Sequence, residues 1–208
     1  MALIAATQPF AKDSKMTTTQ CTRCQREVPG YDGVHQSDGK GGDRGFVCGR
    51  CWAELLSKHV GEELSHIEIA PIILWDCEEN RHEFHFRYNP SPGLLTAFEY
   101  HVDLGGYDFS VLAEEDESSL SLTTRLLEKI RQGLSRQHLE SSSITPGCFR
   151  IKDTAVRGRI DVDTRQSDRV PCVTIDGKPI PWEQFGHMVM QFEGWHFRVE
   201  FLDHAEED

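Results

Sequence analysis

Two pairs of cysteines, Cys21-Thr22-Arg23-Cys24 and Cys48-Gly49-Arg50-Cys51, constrain this 208-residue chain more than any other feature. Two residues between cysteines let one tight turn present both sulfurs to one ion. Two such turns complete a tetrahedral thiolate set, the geometry that zinc prefers in structural sites. Twenty-three residues separate Cys24 from Cys48, slightly more than the spacing of about 15–20 common between such pairs. The gap is full of turn chemistry: Pro29-Gly30, Asp32-Gly33, Asp38-Gly39, Gly41-Gly42 and Gly45. It suits a long hairpin excursion and holds no core of its own. Cysteine at all four positions leaves no open place for water, so the pattern points to a structural rather than a catalytic ion. The competing readings are two unrelated pairs, a redox dithiol or an iron–sulfur cluster. The redox reading lacks the βαβ pattern that would surround it.

After Cys51, the apolar residues Trp52, Leu55, Leu56 and Val60 recur at helical spacing, and Gly61 is a plausible stop. The second cysteine pair then sits at a helix start, where the dipole favours thiolate charge. A knuckle, a hairpin and a helix carrying the second pair resemble treble-clef and zinc-ribbon fingers over residues 17–64. That resemblance implies one structural Zn(II) per chain at Cys21, Cys24, Cys48 and Cys51.

The other three cysteines, Cys77, Cys148 and Cys172, are scattered. Met1–Ala6 is apolar but has no basic flank and is too short for a signal sequence. A cytoplasmic, reducing setting is therefore expected, with the lone cysteines as small buried hydrophobes. Residues 1–16 read as a disordered leader, and Met16 is an alternative start. No apolar run approaches the ~20 residues of a membrane span, so no membrane contact is expected.

Net charge is −12, and its distribution is uneven. Residues 62–117 carry 14 acidic and 2 basic residues, and residues 183–208 carry 7 and 1. Residues 1–61 and 118–182 are mildly basic, at +2 and +4. Such a chain as a whole repels a phosphate backbone. The acidic block is either a solvating surface or a face for a basic partner.

From residue 66 the apolar period becomes two. Ile67, Ile69 and Ile72–Trp75 read as a strand kinked at Pro71; Phe84, Phe86 and Tyr88 as a second; Phe98, Tyr100 and Val102 as a third. Gly105-Gly106 signals a tight hairpin into Tyr107, Phe109 and Val111. A helix follows to about residue 139, with Leu120, Leu126, Leu127, Ile130 and Leu134 as its apolar stripe. Beyond a Ser-rich linker lie strand-like 149–151, 159–162 and 173–175, with a hairpin signal at Asp176-Gly177. A helix opened by Pro181 buries Phe185, Met188, Val189 and Phe192, and Gly194 ends it. Trp195, Phe197, Val199 and Phe201 then alternate as a final strand central to a sheet, with Trp195 buried. The fold class is α+β: an N-terminal four-cysteine zinc finger, then a mostly antiparallel sheet domain with two helices. The expected units are 17–64, 65–140 and 147–208, the last packed on the same body.

The motifs of nucleotide loops, serine hydrolases and zinc proteases are missing. His82, His85 and His101 beside Glu83 and Glu99 are the nearest approach to a metal-dependent hydrolase or nuclease site. Three residues apart, however, His82 and His85 fall on opposite faces of one strand. Asp161, Asp163 and Asp168 could hold Mg²⁺, but they sit among arginines that compensate them. Arg23 and Arg50, one in each knuckle, either touch phosphates or screen the thiolates. With Arg125 and Lys129 on the later helix they are the candidate nucleic-acid contacts. The sequence favours a non-catalytic binding or regulatory protein that acts through a protein partner or self-association. A nucleic-acid-associated factor using the finger and residues 125–169 stands second, with weak, non-specific DNA binding expected.

Overall fold

The computed structural model describes residues 17–37, 42–100, 105–141, 148–163 and 169–203. The leader at 1–16, His101, Val102 and Asp168 lie outside these residues.

The first unit is small. Strands β1 (Thr18–Gln20) and β2 (Glu27–Pro29) pair antiparallel around the first knuckle. Strands β3 (Gly33–Ser37) and β4 (Asp43–Cys48) form the hairpin, and helix α1 (Gly49–Val60) begins directly after it. Gly61 closes α1 in the left-handed region, its N–H donating to the carbonyl of Ser57, as the sequence led us to expect. Phe46, Val47 and three of the cysteines fill this unit's core.

The second unit is a four-stranded antiparallel meander in chain order: β5 (Ile72–Trp75), β6 (Arg81–Asn89), β7 (Leu94–Glu99) and β8 (Asp108–Leu112). Helix α2 (Ser119–Leu134) lies across one face. Its buried stripe is Leu122, Leu126, Ile130 and Leu134, at the spacing 0, 4, 8, 12. These pack on Phe84, Phe86, Leu95, Ala97 and Val111. The stripe read from sequence erred at Leu120 and Leu127, both exposed; the helix rotates to put Leu122 inward. Ile67 and Ile69 pack against this core without joining the sheet. The tight turn at Gly105-Gly106 is also corrected. β7 ends at Glu99 and β8 starts at Asp108, and Gly106 N–H donates to the carbonyl of Gly177 instead.

The third unit joins β9 (Leu139–Ser141) to β10 (Phe149–Ile151), and β11 (Arg159–Val162), β12 (Pro171–Ile175) and β13 (Lys178–Pro181) in a three-stranded sheet. The chain turns into β9 where the sequence suggested that α2 continues. Helix α3 (Trp182–Val189) and one following 3₁₀ turn cover a second small core of Leu139, Ile151, Val173, Ile175, Ile180 and Met188. The expected final strand does not form. Trp195, Phe197, Val199 and Phe201 belong to no helix or strand among the described residues, and Trp195 is 65% exposed. Alternation names a side for a strand but does not supply the neighbour that a strand needs.

Candidate metal centre

The first knuckle is built by backbone bonds. Cys21 N–H donates to the carbonyl of Arg26 and Gln25 N–H to that of Cys21. Gln25 takes the left-handed conformation (φ 61°) that this turn requires. The second pair straddles the start of α1, with Cys48 as its N-cap residue. Gly49 sits where a Cβ would lie 2.6 Å from both Asp32 Oδ1 and the His66 ring, so a larger residue here would have to displace one of those side chains.

The four sulfurs of Cys21, Cys24, Cys48 and Cys51 lie within 4.8 Å of one another, and none forms a disulfide. Cys24 and Cys48 Sγ are 3.7 Å apart. A tetrahedron with metal–sulfur bonds of about 2.3 Å has an edge of about 3.8 Å, so the spacing fits one zinc-sized ion. Cys48 N–H donates to Cys21 Sγ at 3.3 Å. Burial alone would raise the Cys21 thiol, but backbone N–H groups of Cys48, Cys24 and Arg23 outweigh it and bring it to about 6. Cys51 is pushed up to about 12 by burial and by the facing thiols. Four thiols this close cannot all ionise unaided; a divalent cation removes the conflict.

Sequence reasoning missed one residue. Arg26, rather than Arg23 or Arg50, lies beside Cys24, where its backbone N–H and its guanidinium hold that thiol below the usual cysteine range. The knuckle's left-handed turn at Gln25 is what brings it back, and spacing alone did not reveal that. Arg50 instead faces Glu54 on the surface at 3.9 Å. The other two nucleic-acid candidates serve α2. Arg125 donates to Glu117 at 2.7 Å and Lys129 to the carbonyl of Ser110 at 3.1 Å.

The histidines separate as their spacing requires. His85 points toward the first unit, where Tyr31 Oη lies 3.4 Å from its Nδ1. Burial holds His85 below the usual histidine range against the pull of Glu83. His82 lies on the α2 face, its Nδ1 2.8 Å from Glu99 Oε1 and its Nε2 3.3 Å from Asp76 Oδ2. Gln137 donates to Asp76 Oδ2 and to Tyr107 Oη. Asp176 accepts from the backbone N–H groups of His138 and Leu139. This network joins the second unit to the third. The magnesium candidate Asp161 accepts both from Arg159 and from Thr174, so compensation by arginine describes it. Cys172 is buried as expected, but Cys77 is exposed and Cys148 is only half-buried. An open groove of about 610 Å³ is lined by Cys148, Glu183 and His187 among others. No hydrogen bond joins Cys148 to His187 among the described residues.

The chain matches two family models, each described as a domain of unknown function: DUF7686 over residues 65–135 and DUF7713 over residues 138–206. The cysteine centre lies outside both. No curated protein matches the chain, and no solved structure does. Among the described residues, no helix is long and apolar enough to cross a membrane.

Proposed function

We propose that Cys21, Cys24, Cys48 and Cys51 hold one structural Zn(II) per chain, and that the protein is a non-catalytic binding or regulatory module acting through protein–protein contacts. The closed four-thiol cluster carries this reading. Every position of a tetrahedral ion is taken by sulfur, so the metal supplies folding free energy rather than an activated water. The ion ties the knuckle to α1, and Tyr31, next to that knuckle, rests on His85 and Phe98 of the meander. The finger thus braces the sheet.

A protein partner fits the charge better than a nucleic acid does. Residues 62–117, which include the whole meander, are strongly acidic, and Arg125 and Lys129 are engaged within the chain. Apolar side chains stand exposed at Ile73 and Trp75 on the edge strand β5 and along 195–202. Free thiols throughout suit a reducing cytoplasm. Affinity purification from nuclease-treated lysate, beside an anisotropy titration with duplex DNA at about 150 mM salt, tests the reading. Recovery of a protein complex with only weak, salt-sensitive DNA binding supports it. Sub-micromolar affinity for DNA or RNA, with a steep salt slope, overturns it in favour of a nucleic-acid-associated factor.

A further inference from the structure

The segment after the last helical turn forms neither helix nor strand and belongs to no sheet among the described residues. Phe197 is 88% exposed, Phe201 77%, Trp195 65% and Val199 58%. Residues two apart share a side in a strand, so these four would form one apolar row once the segment pairs as a strand. Arg198 and Glu200 lie 3.4 Å apart, and in such a strand they would stand on the opposite side. The row exposes on the order of 500 Å² of apolar surface, as much as the largest patch on an ordinary monomer.

A second feature matches it. β11 is an edge strand. Ile160 and Val162 stand opposite Val173 and Pro171, so they share the sheet face that carries the small core. Yet they are 54% and 44% exposed; the core runs out at this edge. Asp163 N–H donates to the carbonyl of Val170. The alternation of an antiparallel ladder then turns the amides of Arg159 and Asp161 toward β12, and those of Ile160 and Val162 outward.

We propose that the protein forms a two-fold homodimer by reciprocal strand addition, residues 195–201 of each copy pairing antiparallel with β11 of the other. One register puts Phe197 against Val162 and Val199 against Ile160 on the core face. The same register sets Arg198 against Asp161 and Glu200 against Arg159 on the opposite face. Parallel pairing would place Arg198 beside Arg159 and Glu200 beside Asp161, like charge on like charge. The sheet's other edge, β13, contains Pro179 and Pro181, which cannot donate to a ladder. Charge agrees more broadly: residues 193–208 hold six carboxylates and one arginine, while Arg157 and Arg169 flank β11 and the start of β12. Two tails on two edges, counting both sides of each contact, bury more than ~1,000 Å², the scale of a specific interface. The inference rests on the protein-binding reading only in naming the partner. It involves neither the metal centre nor a foreign protein, so failure of the zinc assignment leaves it standing.

Sedimentation equilibrium of the full chain in the micromolar range tests it, with two tail variants. Val199→Pro removes the amide that pairs with the edge, and Phe197→Ser removes an apolar anchor. Both positions lie outside every helix and strand, so unchanged circular dichroism is expected. The wild type should sediment at twice the 23.7 kDa chain mass. Val199→Pro should sediment at the chain mass, and Phe197→Ser should self-associate about 10- to 100-fold more weakly. Mixing Val162→Cys chains with Phe197→Cys chains under mild oxidation should give a disulfide-linked heterodimer, which reports the register. A wild type at the chain mass would overturn the proposal, whether its tail closes on its own edge or serves another protein. So would a dimer that both tail variants leave intact.

Discussion

His82 illustrates how one residue joins two parts of the chain. Burial alone would lower its pKa, but the carboxylates of Glu99 and Asp76 outweigh burial and raise it. A histidine raised on folding contributes stability that is complete below its unfolded pKa of about 6.5 and fades as pH climbs through the folded value. The thermal midpoint should therefore fall as pH rises above about 6.5, and His82→Gln should flatten that decline. Equal slopes for wild type and variant would show that the imidazolium is not held by these carboxylates. This joint was not legible in sequence, because Glu99, Gln137 and Asp76 come from three different elements or turns. A spacing of three did show that His82 and His85 must part. The clustering of Cys21, Cys24, Cys48 and Cys51 was legible, because each pair is local and its two-residue spacing already fixes a knuckle; the exposure of Cys77 and the half-burial of Cys148 were not. Arg26 was not, since its approach to Cys24 depends on the left-handed backbone at Gln25.

At the scale of elements, α2 is the clearest case of sequence made structure. Ser118 Oγ accepts from Ser121 N–H at 3.1 Å and so caps the helix start. Ser118→Ala should cost about 1 kcal/mol. Leu126 is fully buried against the sheet, and Leu126→Ala should cost about 2–5 kcal/mol in a denaturant titration. A loss below about 1 kcal/mol at Leu126, typical of a surface rather than a core truncation, would mean that the helix does not pack where the structure has it. Helix periodicity is self-contained: α2 needs only one apolar face and finds it in the meander. Strand periodicity is not. The alternation at 195–201 was as clean as that of β6, yet a strand also needs a neighbour's amides, and those are not encoded locally. The turn at Gly105-Gly106 failed for a related reason. The Gly106 amide is claimed by Gly177, far along the chain.

For the molecule as a whole, the charge pattern and the cysteine cluster lead to separate expectations. The acidic meander should keep duplex DNA at a distance, so any binding should be weak and vanish as salt rises. The cluster should hold the first unit together. Apparent binding free energies for structural zinc sites are on the order of 10–16 kcal/mol, far more than a core as small as that around Phe46 and Val47 supplies. Cys48→Ser should therefore unfold residues 17–64 while leaving the core of Phe84, Leu95 and Leu126 intact, as read by amide exchange. Loss of protection throughout would mean that finger and sheet fold as one. Whether the four thiols hold zinc is tested most directly by elemental analysis of freshly purified wild-type chain beside Cys48→Ser. About one zinc per wild-type chain is expected, the stoichiometry of a single tetrahedral site, and none retained by the variant. Wild-type protein that carries no zinc, or carries iron with sulfide, would contradict a structural zinc centre.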